Sequence, residues 1–194
     1  MKITYYGHSC FTLESDSYVI ALDPYDSGVP GYGDLKLSAN KVYCSHGHMD
    51  HAYTDAVEIV PAKRPSPFEV TELELPHDDA NGAKRGFTFI RLFKAEGKTV
   101  VHYGDLGCPL TERAEELFKD ADAALVPVGG FFTIDAAAAV ELIERTKPAA
   151  VIPMHYRKGT QGLRPIAELS DFLDLCEGRD IKVVPLEYKE SYEI

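Results

Sequence analysis

Short apolar runs broken by turn residues fill the first half of the chain, and strand-like runs alternating with amphipathic stretches fill the second. Ile3–Tyr6, Cys10–Glu14 and Tyr18–Leu22 are β-branched or aromatic segments separated by Gly7-His8-Ser9 and Ser15-Asp16-Ser17, which predicts three strands. A Gly/Pro-rich loop from Tyr25 to about Asn40, with Gly28, Pro30, Gly31 and Gly33, follows and is expected to be mobile and to border a site. Lys41–Ser45 predicts a strand, Ala52–Val60 a short helix, and Val70–Leu75, Gly86–Lys94 and Thr99–Tyr103 three further strands. Thr111–Lys119 predicts a helix with Thr111 as its N-cap. Beyond it come strand Ala123–Val128, helix Asp135–Arg145, strand Ala149–Pro153, helix Ile166–Cys176 and strand Ile181–Leu186. Antiparallel β early and β–α alternation late predict sheets covered by helices, in one domain over residues 1–194.

Charge narrows the partners. The formal net charge is −11, which repels phosphate backbones and anionic membranes, so electrostatic binding to nucleic acid is disfavoured. No apolar run reaches the roughly 18 residues of a membrane span, and the N-terminus runs directly into a strand pattern without a signal-peptide core. Cys10, Cys44, Cys108 and Cys176 are scattered with no Cys-x-x-Cys pair, so a cytoplasmic protein with reduced thiols is expected.

The chemistry concentrates where the Lys41–Ser45 strand ends. His46, His48 and His51 lie within six residues, with Asp50 among them. In an extended segment residues i and i+2 point to one side, so His46 and His48 can grip one ion. Gly47 is expected to let the backbone bend, and Asp50 and His51 to turn towards a second ion near a helix start. Imidazole and carboxylate donors suit zinc, iron, manganese or nickel.

The segment His46-x-His48-x-Asp50-His51 resembles the signature motif of the metallo-β-lactamase superfamily, and other landmarks agree in order and type. Asp23 follows a strand end, His77 sits in Leu75-Pro76-His77-Asp78-Asp79, Asp105 in Tyr103-Gly104-Asp105 and His155 in Pro153-Met154-His155-Tyr156. Val126–Thr133 and Gly7-His8-Ser9 resemble a small bacterial branch of metal-dependent hydrolases that includes L-ascorbate-6-phosphate lactonase-like proteins. The resemblance runs from Met1 to about Pro185. Three features depart from the superfamily pattern. Only 25 residues separate His51 from His77, Phe131 stands where many relatives carry His, and no second domain for RNA, flavin or a coenzyme is expected.

The resemblance implies an αββα four-layered sandwich, two mixed β-sheets flanked by helices. It implies two divalent metal ions, zinc first, with Mn2+, Fe2+ or Ni2+ as alternatives. His46, His48 and His77 would hold one ion, Asp50, His51 and His155 the other, and Asp105 would bridge them. A hydroxide shared by the two ions would attack a small ester, lactone or phosphodiester, with Asp50 aiming it. Asp23 would orient a ligand histidine through its free ring nitrogen. His8 is either a turn histidine or a group that binds substrate or donates a proton. His102, opposite in alternation to Asp105, is expected to be a packed residue. Gly129-Gly130 is either a simple turn or a close backbone approach to the cleft, with Thr133 near the substrate. Arg85 and Arg157-Lys158 are candidates for an anionic group on a small-molecule substrate. Two other readings remain at this point: a non-catalytic metal-binding or sensing protein, and a metal-dependent nuclease.

Overall fold

The computed structural model describes residues 1–26, 28 and 31–194. Two five-stranded mixed sheets pack face to face. The first has the order β12(Ser191–Glu193), β1(Lys2–Tyr5), β2(Phe11–Ser15), β3(Tyr18–Leu22), β5(Lys41–Tyr43). The second has the order β11(Val151–Met154), β10(Ala123–Pro127), β9(Lys98–His102), β8(Phe87–Ala95), β7(Glu69–Pro76). Ile3, Phe11, Leu13 and Leu22 from one sheet meet Phe93, Leu125 and Ile152 from the other in a buried layer between them.

The second sheet is covered by α1(Glu112–Phe118), α2(Ala136–Thr146) and α3(Leu169–Cys176). Strand β10 is buried along its whole length because both faces are covered: Ala123 and Leu125 join the inter-sheet layer, Ala124 and Val126 the helix layer. On α2, Ala136, Ala139, Val140 and Ile143 recur at helical spacing and enter that same layer. The Asp135 side chain caps α2 by accepting from the Ala138 N–H, and Thr111 caps α1 from the Ala114 N–H. No helix among the described residues is long and apolar enough to cross a membrane.

The sandwich is the expected one, but its first outer layer is thin. Residues 52–60 do not form a helix. A 3-10 turn, Thr54–Ala56, leads into β6(Val57–Ile59), which pairs in parallel with β4(Leu37–Ala39). Val57, Ile59 and Val60 are β-branched and precede Pro61, which disfavours a helix. The β4–β6 ribbon and Tyr25 and Leu35 cover the outer face of the first sheet through Cys10 and Ala21. The predicted loop 25–40 therefore contains a strand, and its Pro30, with residues 27 and 29, lies outside the described residues. Ile181–Leu186 makes one bridge, Val151 to Val183, and no strand. Instead Ser191–Glu193 pairs with β1 and closes that side of the first sheet.

Strand direction decides where chemistry can gather. β1 and β3 are both antiparallel to β2, and β5 is parallel to β3, so all three end on one edge. In the second sheet β7, β9, β10 and β11 likewise share a direction. The residues after these strand ends are His8, Asp23, Ser45-His46, His77, Asp105 and His155. Loops at the carboxyl ends of strands are the usual ligand sites of open α/β sheets.

Candidate metal centre

The centre is built around the carboxylate of Asp105, itself 2% exposed. Its Oδ2 lies 3.2 Å from His155 Nε2, 3.3 Å from His51 Nε2, 3.5 Å from His77 Nε2 and 3.9 Å from His46 Nε2. Asp50 Oδ2 lies 3.6 Å from His51 Nε2 and 3.3 Å from His8 Nε2. Three sets of donor atoms lie within 4.8 Å of one another: His46, His48 and His77; His8, Asp50, His51 and His155; and His46, His51 and Asp105. Six of the seven histidines thus converge. The loop 46–51 places His46 and His48 in one set and Asp50 and His51 in another.

The donors fit divalent cations. Four tetrahedral donors at about 2.0–2.1 Å from an ion stand about 3.3 Å apart, the separation seen around Asp105. His46 Nε2, His51 Nε2, both ring nitrogens of His155 and Asp105 Oδ1 are buried with no hydrogen-bond partner. An unsatisfied buried polar atom costs roughly 1–3 kcal/mol, and ligation removes that cost.

Asp23 organises two of these histidines. Its Oδ1 accepts from the Ser45 N–H (2.6 Å), and its Oδ2 accepts from Ser45 Oγ (2.6 Å) and His51 Nδ1 (2.8 Å). His51 is thereby fixed with Nε2 free towards Asp105. Ser45 Oγ also lies 3.0 Å from His46 Nδ1. Its single proton is committed to a carboxylate that can only accept, so Oγ must accept from the His46 Nδ1–H. One buried carboxylate therefore sets both tautomers, His51 directly and His46 through a serine. Nothing in the sequence marked Ser45; its role needs the position of Asp23 Oδ2.

Electrostatics follow from burial and this network. Burial holds the His46 imidazole neutral and pushes its pKa down to about 3. His8, wholly buried beside His155, falls to about 4. For His51 burial disfavours the charged form, but the Asp105 and Asp23 carboxylates outweigh it and raise its pKa well above the ordinary value. Asp105 is held well below the usual carboxylate range: burial acts against this, and His155 and His51 outweigh it. A cation entering the site competes with the His51 proton.

Backbone strain gathers here as well. His8, Asp23 and His155 have φ of 53°, 44° and 53°, the left-handed region that non-glycine residues rarely adopt. The His155 N–H donates to the His8 carbonyl (3.0 Å), tying the β1–β2 turn to the end of β11. Gly107 and Gly129 are required by close approach: a Cβ on Gly107 would stand 2.3 Å from the His77 carbonyl carbon, and one on Gly129 2.2 Å from the His155 oxygen. Gly47 is different. It has open space around a would-be Cβ and no positive φ, so the bend at the motif does not need glycine.

The remaining candidates separate cleanly. His102 is buried away from the donor sets, with Nε2 3.1 Å from the Ser9 carbonyl oxygen and Nδ1 accepting from the Gly104 N–H. Thr133 Oγ1 donates to the Ile134 carbonyl. Arg157 pairs with Glu168 (2.9 Å) and Lys158 with Glu187 (2.5 Å). An open cleft of about 290 Å³ lies over the centre, lined by His48, Asp50, His77 and Asp105 together with Arg85, Phe132 and Leu163. Phe131, 63% exposed, packs against Phe132.

Comparison with known proteins gives one consistent picture. Residues 2–155 match the family model described as the beta-lactamase superfamily domain. The UPF0173 metal-dependent hydrolase of Methanopyrus kandleri is 30% identical, with all of both chains covered. That of Archaeoglobus fulgidus is 28% identical over all of this chain and 99% of its own. A structure from Thermotoga maritima, described as a Zn-dependent hydrolase of the metallo-beta-lactamase superfamily, is 30% identical and superposes with a TM-score of 0.73, covering 95% of this chain and 97% of that one. The metallo hydrolase Igni18 of Ignicoccus hospitalis, 22% identical, shares the fold with a TM-score of 0.72 over 100% of this chain and 98% of its own.

Proposed function

The chain belongs to the metallo-β-lactamase superfamily and is a metal-dependent hydrolase, and from that premise we propose that one domain over residues 1–194 cleaves a small ester, lactone or phosphodiester at a two-ion centre. The observation that supports this most is the single oxygen, Asp105 Oδ2, within 4 Å of four imidazole nitrogens from three different loops. His46, His48 and His77 would hold one divalent ion, Asp50, His51 and His155 the other, and Asp105 would lie between. Zinc is the expected ion, in keeping with the relative from Thermotoga maritima, and Mn2+, Fe2+ or Ni2+ suit the same donors. When bound, such ions supply Lewis acidity and bring the pKa of water from 15.7 to about 7.

The chain's own groups do the rest. Asp50 lines the cleft and its Oδ2 is the proton acceptor that aims the attacking water. His8, buried behind it, donates to that oxygen at 3.3 Å and holds the carboxylate in position over the cleft. Asp23 holds His51 with Nε2 facing inward, where a cation would take the place of its proton, and Ser45 keeps the Nε2 of His46 unprotonated and facing inward. The four cysteines are unpaired, which suits a cytoplasmic setting. The lactonase branch suggested by Gly7-His8-Ser9 and Val126–Thr133 is one member of the substrate class. The test begins with elemental analysis of protein purified without chelator, followed by a panel of bis-p-nitrophenyl phosphate and simple lactones. Turnover should disappear with EDTA and in Asp50→Ala. Turnover that persists through both would refute the reading.

A further inference from the structure

Three arginines among the described residues are buried or half-buried: Arg85, Arg91 and Arg157. Arg91 donates to Glu72 (2.7 Å) and to the Cys44 carbonyl (2.8 Å), and Arg157 pairs with Glu168 (2.9 Å). The Arg85 side chain has no hydrogen-bond or ion-pair partner among the described residues. Its guanidinium instead sits against a ring: the guanidinium carbon lies 5.3 Å from the centroid of Phe132. Both residues line the cleft over the metal centre. In a chain of net charge −11 an uncompensated, half-buried guanidinium is a conspicuous omission.

The loop that presents Arg85 is stiff. The buried Asp78 carboxylate accepts four backbone N–H groups, from Ala80 (2.7 Å), Gly82 (2.9 Å), Lys84 (2.9 Å) and Arg85 itself (2.7 Å). Lys84 is drawn off to Asp79 at 2.6 Å, so the loop's other cation is neutralised. The arrangement fixes the backbone beneath Arg85, props its guanidinium on an aromatic face and leaves its donor edge free. A guanidinium's planar fork matches carboxylate and phosphate oxygens in pairs.

We infer that Arg85 is the anion-recognition residue of the cleft, receiving a carboxylate or phosphate that the substrate carries apart from the bond being cleaved. The inference rests on the hydrolase reading of the neighbouring centre, since the anion's partner group is the one presented there. The test is calorimetric binding of glutarate, 3-phosphonopropionate and butyrate to the protein as purified and to zinc-loaded protein, in wild type, Arg85→Gln and Arg85→Lys. At least one dianion should bind wild type about tenfold more tightly than butyrate, the scale of one charge-assisted hydrogen-bonded pair. Arg85→Gln should erase that advantage, and Arg85→Lys should keep part of it. The favoured dianion distinguishes carboxylate from phosphate recognition. Equal binding of dianions and butyrate by wild type, or an advantage that survives Arg85→Gln, overturns the inference. Failure of the hydrolase reading would show separately, as absent metal or absent turnover, because the comparison of variants needs neither.

Discussion

Ser45→Ala isolates the relay that joins Asp23 to His46. The substitution removes one oxygen and keeps the Cβ, so the tight packing against Gly104, where a Cβ would stand 2.8 Å from Ser45 Cβ, is unaltered. Asp23 keeps two of its three hydrogen bonds, from the Ser45 N–H at 2.6 Å and His51 Nδ1 at 2.8 Å, so the His51 side of the centre should be untouched. His46 loses the acceptor 3.0 Å from Nδ1 and with it the preference for a proton on Nδ1 rather than Nε2. Losing a partner that orients a ligand histidine costs about 10–100-fold in metal affinity, or about 1.4–2.7 kcal/mol. Asp23→Asn is the matched contrast. Its oxygen can still serve the Ser45 N–H, but its amide presents N–H groups to both Ser45 Oγ and His51 Nδ1, so both tautomers are released. On the two-ion reading, zinc titration of metal-free protein against a chromophoric chelator should resolve two affinities. Ser45→Ala should weaken one of them and Asp23→Asn both. Unchanged affinities in Ser45→Ala, or two variants with indistinguishable titrations, would refute the relay.

Gly107→Ala places a Cβ 2.3 Å from both the Asp78 nitrogen and the His77 carbonyl carbon, backbone atoms that cannot step aside, so it should lower the melting temperature and the bound-zinc stoichiometry together. Gly47→Ala, within the metal motif itself, should leave both measurements within error of wild type. Asp122 accepts from Lys98 Nζ (2.8 Å), the Thr99 N–H (2.9 Å) and Thr99 Oγ1 (3.1 Å), and these bonds outweigh burial and hold its carboxyl below the usual value. A carboxyl whose pKa is lower folded than unfolded contributes its full stability above the unfolded value of about 3.9 and loses it as the pH falls through the folded one. Urea unfolding of metal-free protein should therefore show Asp122→Ala destabilised by about 1 kcal/mol at pH 7, the scale of a net hydrogen bond. The difference should shrink below about pH 4; a gap that stays constant or grows on acidification would contradict this.

The fold was legible where a segment's own pattern decides its structure. Helix α2 shows its apolar stripe and its Asp135 cap in sequence, and β10 its short apolar run before Pro127 and Gly129. It was illegible where a partner decides. Ser191-Tyr192-Glu193 has no strand signature and becomes one because β1 offers an open edge. Val57–Ile59 falls within the short helix expected over Ala52–Val60 and is a strand. Its β-branched residues instead pair with Leu37–Ala39, inside what reads as a plain Gly/Pro loop. Ile181–Leu186 has the apolar content of a strand and makes a single bridge.

The centre follows the same division, one level up. Histidines and carboxylates are scarce enough near one another that their identity alone points to cation binding, and the shared direction of seven strands brings them to one edge. Residues that act by orienting them carry no such mark. A serine before a histidine is ordinary, and Asp23 is singled out only by the family resemblance, which points to one histidine where the structure shows two. Arg85 and Arg157 are equivalent as letters, and only the presence of Glu168 beside one and its lack beside the other tells them apart. What sequence cannot supply is therefore not the ligands but their constraints, because a tautomer or an unpaired charge is a property of neighbours. This is why Ser45 and Arg85, rather than another motif histidine, are the positions where substitution teaches most about how this metal-dependent hydrolase orders its site and chooses its substrate.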